Sequence, residues 1–228
     1  GVDPGSADGT SMSRGERRKA GETCGIVRDR GGAGDQQNNI QGASYLLSIG
    51  DWHDKNVSGT MTIQGRRLQE INLGHATEPI TISITGLTIA NTPSVRKINL
   101  KRISTLKGVL DLTQCVHLKE IYADGTSLAQ IKLPEGGGLE KVAFSASNSY
   151  LVLRNFPVLK RENVDTSLCN EVITDFYVQD CAQLNPVDML MDILEAQDNQ
   201  GDDHALKRVR AVGFDVTYGE DKGSYILD

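Results

Sequence analysis

A short phrase of apolar, polar, charged and apolar residues occurs four times in the middle of the chain. The copies are residues 68–71, 95–98, 118–121 and 139–142, so their starts lie 27, 23 and 21 residues apart. The alternation continues with period two after each copy, which predicts a short, half-buried strand. Strands that recur at intervals of about 20 to 29 residues predict a solenoid whose coils share one core.

The alternation assigns side chains to the two sides of these strands. In the fourth copy it places Val142 and Phe144 inside and Ala143 outside. One such strand cannot bury its apolar side alone, so neighbouring coils must stack. The inward positions of the other copies are Ile71 and Leu73, Ile98 and Leu100, and Leu118, Ile121 and Ala123.

Apolar residues also recur in the segments that return from one copy to the next. One return is longer than the others, and its residues 80–84 alternate as a strand does, which predicts either a strand or a small projecting excursion. Turn-forming stretches at 124–126 and 135–138 separate the two apolar edges. The apolar return positions are Leu106, Val109, Leu110 and Leu112 in one coil, and Leu128, Ile131 and Leu133 in the next.

This pattern divides the chain into an arm and a solenoid. Residues 1–44 have few large apolar side chains and are predicted to form an irregular, glycine-rich arm. Residues 45–228 predict an α/β solenoid, leucine-rich-repeat-like in its spacing and strand-rich, with short irregular returns and one C-terminal helix. Within it we expect a cap over 45–66 that includes Trp52, repeats over about 67–184, the helix over about 186–198, and a terminal repeat or cap over 203–228.

The helix is predicted where the strand pattern is replaced by helical spacing. Asn185 is a suitable N-cap, and Pro186 suits the first helical position. The apolar positions that we expect to face the core are Val187, Leu190, Met191 and Leu194.

Composition and motifs count against several classes of function. The net charge is -6, from 24 basic and 30 acidic residues, so no global signal indicates nucleic acid or an anionic membrane. No run of about eighteen apolar residues predicts a membrane-spanning helix. The sequence contains no nucleophile elbow, phosphate-binding loop, dinucleotide fingerprint or His-Glu metal helix, so we expect no enzyme activity and no cofactor.

Histidines and cysteines are the remaining candidates for a metal site. The histidines, at positions 53, 75, 117 and 204, do not pair at ligand spacing, and the cysteines form no CxxC pair, so no metal site is predicted. Cys115 and Cys181 occupy equivalent turn positions, which predicts buried thiols that pack as small apolar residues. A disulfide involving Cys115, Cys169 or Cys181 is the alternative that the sequence leaves open.

The arm carries a cluster of basic residues in a chain that is otherwise acidic. This cluster is either part of a solvated tail or a contact with an acidic partner surface or a neighbouring subunit. Nucleic-acid contact is not expected, because no aromatic residues lie between the arginines. The candidate arm contacts are Arg14, Arg17, Arg18, Arg28 and Arg30.

The order of several stretches resembles a known group of proteins. These stretches are 48–51, 68–74, 110–126, 133–137, 178–181 and 208–215. Together they resemble the short leucine-rich-repeat modules in structural and tail-associated proteins of gut bacteriophages and prophages, over roughly residues 45–218. The resemblance implies a virion component or an adhesion module, and it brings no catalytic residue with it.

The sequence therefore favours a protein that binds other molecules. The leading hypothesis is a non-enzymatic structural or protein-interaction component of a phage particle or prophage tail, located in the virion. Its partners would be protein subunits, including copies of itself. The alternative is a bacterial cell-surface leucine-rich-repeat module that binds a protein or glycan ligand at the host surface. The outward strand residues form either a recognition face or a solvated face with ion pairs between coils. They are Asn72, Arg96, Lys97, Asn99, Lys119, Glu120, Tyr122 and Lys141.

Overall fold

Strands dominate the architecture, and one helix follows near the C-terminal end. A computed structural model describes residues 24–30, 36–42, 48–50, 52–198 and 204–211. Over these ranges the strands are β1 (Cys24–Arg30), β2 (Gln36–Gly42), β3 (Ser48–Ile49), β4 (Ser58–Gln64), β5 (Glu70–Asn72), β6 (Ser83–Ala90), β7 (Lys97–Asn99), β8 (Lys107–Asp111), β9 (Glu120–Tyr122), β10 (Ser127–Lys132), β11 (Lys141–Ala143), β12 (Tyr150–Arg154), β13 (Val164–Asp165), β14 (Asp175–Gln179) and β15 (Arg208–Ala211). The helix is α1 (Pro186–Asp198).

The repeated phrase forms the short strands of one parallel sheet. This sheet has the order β13-β11-β9-β7-β5-β3, so each coil contributes one strand. β-branched side chains suit such a stack because they pack well against their neighbours on a pleated surface. The inward residues that lie in register across the sheet are Ile49, Ile71, Ile98, Ile121, Val142 and Val164, and all are buried. The chain thus forms a parallel β-solenoid of about 6 turns, which confirms the predicted solenoid.

The return segments are strands, so the expectation of short irregular returns is wrong. They pair in the orders β1-β2-β4-β6, β10-β8 and β12-β14-β15, all parallel except the antiparallel pair β1 and β2. The long return is therefore itself a strand, β6, in which Ile84, Leu87 and Ile89 are buried. Each coil consists of a longer return strand followed by a short one, and the core lies between them.

In the solenoid strands and returns, two inward assignments differ from the sequence prediction, and one residue assigned outward is buried. Val109 is 51% exposed, because Leu110 and Leu112 take the inward positions of the alternation and leave it on the outside. Leu133 is only partly buried at the edge of the core. Ala143 faces outward but is 8% exposed, because its small side chain lies between the larger Tyr122 and Asp165 in register.

The corners between return strand and short strand bury the cysteines as predicted. The Cys115 amide donates to the Leu112 carbonyl (2.9 Å), and the Cys115 carbonyl accepts from the next inward residue, Leu118 (3.0 Å). Cys181 holds the same position and accepts from the Leu184 amide (3.0 Å). Cys115, Cys169 and Cys181 are buried free thiols. Burial raises the pKa of all three, and that of Cys169 to about 12.

We expect these thiols to resist alkylation in the native chain. The thiolate is the reacting species, and a pKa of about 12 leaves a very small thiolate fraction at pH 8 for Cys169. In a Cys24→Ser variant, iodoacetamide labelling followed by mass spectrometry should find the native chain almost unmodified at this pH. The same chain in concentrated urea should take up three labels. Rapid labelling of Cys169 without denaturant would contradict its burial.

The C-terminal end is built differently from the other coils. After β14 the chain enters α1 where earlier coils have a short strand, so the short-strand sheet ends at β13. The predicted helix N-cap at Asn185 is confirmed, since Asn185 Oδ1 accepts a hydrogen bond from the Asp188 amide (3.3 Å). Of the predicted core positions of α1, Leu190 and Leu194 are buried, whereas Val187 is only partly buried and Met191 is 57% exposed, so the centre of the buried side is displaced by one residue. The buried residues of α1 are Pro186, Met189, Leu190, Ile193, Leu194 and Gln197.

Part of the segment predicted to be irregular forms strands. Both β1 and β2 lie within residues 1–44, and β2 pairs in parallel with β4 from Gln37 to Gln41, so residues 36–42 extend the solenoid. Trp52, assigned to the cap, is buried in the shared core. Among the candidate arm contacts, Arg14, Arg17 and Arg18 lie outside the described residues, and Arg28 and Arg30 belong to β1.

Candidate interaction face

The outward side chains of β5, β7, β9 and β11 and of the residue immediately before each strand form rows, which together we call the short-strand face. Parallel pairing in register places equivalent residues of successive coils side by side, about 4.8 Å apart. One row is Glu70, Lys97, Glu120 and Lys141, so the charges alternate in sign. A second row is Asn72, Asn99, Tyr122 and Ala143. The residues immediately before the strands, Gln69, Arg96, Lys119 and Glu140, follow one another through backbone hydrogen bonds. All eight predicted site residues therefore lie on this one face.

Several charges of the short-strand face neutralise each other between coils. Lys97 Nζ lies 3.5 Å from Glu120 Oε2, which connects β7 and β9. Lys119 Nζ lies 3.3 Å from Glu140 Oε1, which connects the next two coils. Such exposed pairs contribute about 0 to 1 kcal/mol each to stability, so their main effect here is to orient the side chains. The ion pairs that the sequence analysis raised as one option are present.

The asparagine row is held by hydrogen bonds. The Asn99 amide Nδ2 donates to Asn72 Oδ1 (2.8 Å) and to the Gly74 carbonyl (3.2 Å). Asn99 Oδ1 accepts from the Lys101 amide (3.1 Å). Asn99 is thus fixed by the backbone of its own coil and of the preceding one, and Asn72 is held by Asn99, so this part of the face is rigid.

Tyr122 is the one aromatic residue among the predicted site residues, and its surroundings are occupied. Its hydroxyl donates to Glu120 Oε2 (3.1 Å), and Lys101 Nζ lies 4.9 Å from the ring centroid. Burial, with the Glu120 hydrogen bond next, raises the pKa of Tyr122 to about 12, so the hydroxyl stays protonated. A cation over the ring occupies the surface on which a sugar would stack.

Arg96 and Lys141 are the exposed cations that remain. Within the described ranges neither side chain has an ion pair, although both lie beside paired residues. Their positions in the outer rows leave their charges available to a partner. They are therefore the two predicted site residues best suited to an intermolecular contact.

The fold brings together two histidines that the sequence left apart. The rings of His53 and His75 have centroids 4.7 Å apart. His75 Nδ1 accepts hydrogen bonds from the amides of Thr77 (3.2 Å) and Glu78 (3.0 Å). Nowhere in the described part of the chain do three histidine, cysteine or carboxylate side chains cluster as metal ligands. His75 thus fixes a turn, and nothing in the sequence spacing of the two histidines indicated that His53 would lie beside it.

A second outward surface was not singled out by the sequence analysis. In β12, β14 and β15 the buried residues Leu151, Leu153, Phe176, Val178 and Val209 point inward, so the residues that alternate with them point outward. We name this surface the Tyr–Arg face, and it consists of Tyr150, Val152, Arg154, Asp175, Tyr177, Gln179, Arg208 and Arg210. The alternation in 150–154 was the available signal, but the pairing that joins the three strands depends on the fold.

Two further findings concern membranes and relatives. None of the helical structure described for this chain is both long and apolar enough to cross a bilayer. In comparisons with protein-family models, with curated proteins and with solved structures, no match to this chain is found.

Proposed function

We propose that this chain is a non-enzymatic interaction module whose short-strand face contacts neighbouring protein subunits of a larger assembly. The observation that supports this is the ordered set of outward rows on consecutive coils. Ion pairs and the asparagine hydrogen bonds fix most of these side chains before any partner arrives, which lowers the entropy cost of binding. Arg96 and Lys141 then offer their positive charges to the partner, and the side chains around them are already held in place.

The assembly that we propose is a phage particle or prophage tail, with the protein located in the virion. This part of the proposal comes from the resemblance to leucine-rich-repeat modules of such particles. The alternative is a bacterial cell-surface module for a protein or glycan ligand. The short-strand face favours a protein partner over a glycan, because Tyr122 carries the Lys101 ammonium against its ring.

We expect the full chain to form a defined oligomer in light scattering, with a mass several times that of the 24.7 kDa chain. The combined substitutions Arg96→Glu and Lys141→Glu should shift this oligomer towards the monomer, since they reverse the two cations of the face that have no ion pair to a described residue. The matched control Lys107→Glu with Lys132→Glu changes two exposed lysines on the return strands and should leave the mass unchanged.

The same measurement tests the arm. Deleting 1–44 would remove β2 and uncover β4, so the informative deletion ends at residue 23. Loss of the oligomer on this deletion supports an arm that contacts neighbouring subunits through its arginines. A monomer in every form, at all concentrations, contradicts the particle proposal and favours the cell-surface alternative.

A further inference from the structure

We infer that the Tyr–Arg face of one copy binds the exposed side of α1 in a second copy, so that chains associate head to tail. This inference rests on the proposed function as a structural component, and it specifies the partner and the surfaces. Both surfaces belong to the C-terminal coils, and each carries a charged group, Arg154 or Glu195, that has no ion pair to any described residue.

The Tyr–Arg face is basic and aromatic in a chain whose net charge is negative. Its one carboxylate, on Asp175, is held by the Nε of Arg208 and is buried. Arg154 is half-buried, and it has no ion pair within the described ranges. Tyr177 lies at the centre of the face, in register between Val152 and Arg210. Tyrosine and arginine around an apolar contact are typical of the residues that dominate binding energy at protein interfaces.

The exposed side of α1 has the complementary chemistry. The helix contains no basic residue in its last turn, and Met191 is 57% exposed. The carboxylates of Asp188, Asp192 and Asp198 each have a partner within the chain, in Asn185, Arg161 and His204. Glu195 is exposed and has no ion pair to any described residue. The flexible Met191 side chain suits a sulfur–aromatic contact with Tyr177 of the second copy. The Glu195 carboxylate beside it suits a bidentate ion pair with the Arg154 guanidinium.

The two surfaces cannot meet within one molecule. The helix follows β14 on the side where earlier coils have their short strands, whereas the Tyr–Arg face is the outer side of the return strands. Because the core lies between these sides, contact between them must be intermolecular. A contact between two different surfaces is heterologous, so it extends into a ring or an open chain rather than stopping at a dimer.

The test is a charge exchange between Arg154 and Glu195 in the full-length chain, with association measured by sedimentation velocity over a concentration series. Each single substitution, Arg154→Glu or Glu195→Lys, places like charges together and should raise the concentration for half-association at least about tenfold. The double variant, and an equimolar mixture of the two single variants, restores opposite charges and should recover association. Circular dichroism and thermal unfolding verify that each variant is folded.

Two further variants separate this contact from its neighbours. Tyr177→Ala should weaken association without any charge change, while Lys107→Glu, on neither surface, should not. Single reversals that leave association unchanged, or a double variant that does not recover it, would overturn the inference. A wild-type chain that stays monomeric and binds polyglutamate or oligothymidylate through Arg154 would also overturn the inference. If the oligomer responds to Arg96→Glu with Lys141→Glu but not to the exchange, the inference fails while the proposed function stands.

Discussion

Replacing Gly74 with alanine is expected to lower the free energy of unfolding by about 3 kcal/mol, a large effect for one methyl group. A Cβ at this position would lie 2.3 Å from the carbonyl oxygen of Lys101 and 2.4 Å from its nitrogen. Both atoms belong to the backbone of the next coil, so no side-chain rotation can relieve the overlap. The Gly74 amide donates to the Asn99 carbonyl (3.1 Å), which holds the two coils at this separation.

The matched control is Gly138→Ala. A Cβ there meets nothing within 4 Å, and the residue lies in an exposed corner. Urea denaturation gives both free energies, and unchanged m-values would show that the same cooperative unit unfolds in each variant. Equal stability of the two variants would mean that the corners at Gly74 and Lys101 are not in close contact.

The second large effect is expected for Gln197→Ala, at about 3 kcal/mol. The Gln197 Nε2 donates to the carbonyls of Asn170 (2.9 Å) and Ile173 (3.0 Å). Its Oε1 accepts from the Leu206 amide (2.8 Å), so one buried side chain joins α1 to the corner before β14 and to the segment that leads into β15. Alanine would remove the partner of two buried backbone groups, at Ile173 and Leu206, and of the partly buried Asn170 carbonyl. Each buried group left without a partner costs about 1 to 3 kcal/mol, less any gain from water entry.

Gln183→Ala is the control for this substitution. Gln183 is also a glutamine, but it is exposed and makes one hydrogen bond, to the Pro157 carbonyl (3.1 Å). Hydrogen exchange should show faster exchange in β15 and α1 for the Gln197 variant, with β5 to β9 unaffected, because coils contact only their neighbours. Uniform loss of protection along the chain would contradict this local role.

The short strands could be predicted because their alternation is unbroken. Ile98 and Leu100, or Ile121 and Ala123, are two positions apart, and a period of two places both on one side of a strand. All of them are buried as predicted. The same arithmetic gave the outward residues of the short-strand face, since every residue between two inward ones must point the other way.

Return strands such as β10 were not predicted, because bulges break their alternation, although residues 80–84, which lead into β6, were predicted as either a strand or an excursion. Leu128 and Ile131 are three positions apart, yet both are buried, because the register with β8 shifts between Leu128 and Gln130. In β6 the same shift places Ile84 and Leu87 on one side. A spacing of three is helical rather than strand-like in a sequence, so the pattern indicated an irregular return.

Contacts between coils could not be predicted from the sequence, for a different reason. The ion pair between Lys97 and Glu120 depends on the register of two strands. The contact between His53 and His75 depends on how one corner folds beside the next. The buried side of α1 was predicted one residue away from its position, because a stripe through Met191 is as apolar as one through Met189. Packing against the preceding coil decides between them.

The helix that takes the place of a short strand also limits how this protein can change in length during evolution. Copying the last coil would enclose a helix within the solenoid and interrupt the short-strand sheet. Copying a coil between β5 and β11 would keep the register of the short strands and lengthen the molecule by about 4.8 Å. Homologous chains of different size should therefore differ by whole coils in the middle, with the helix kept near the C-terminal end.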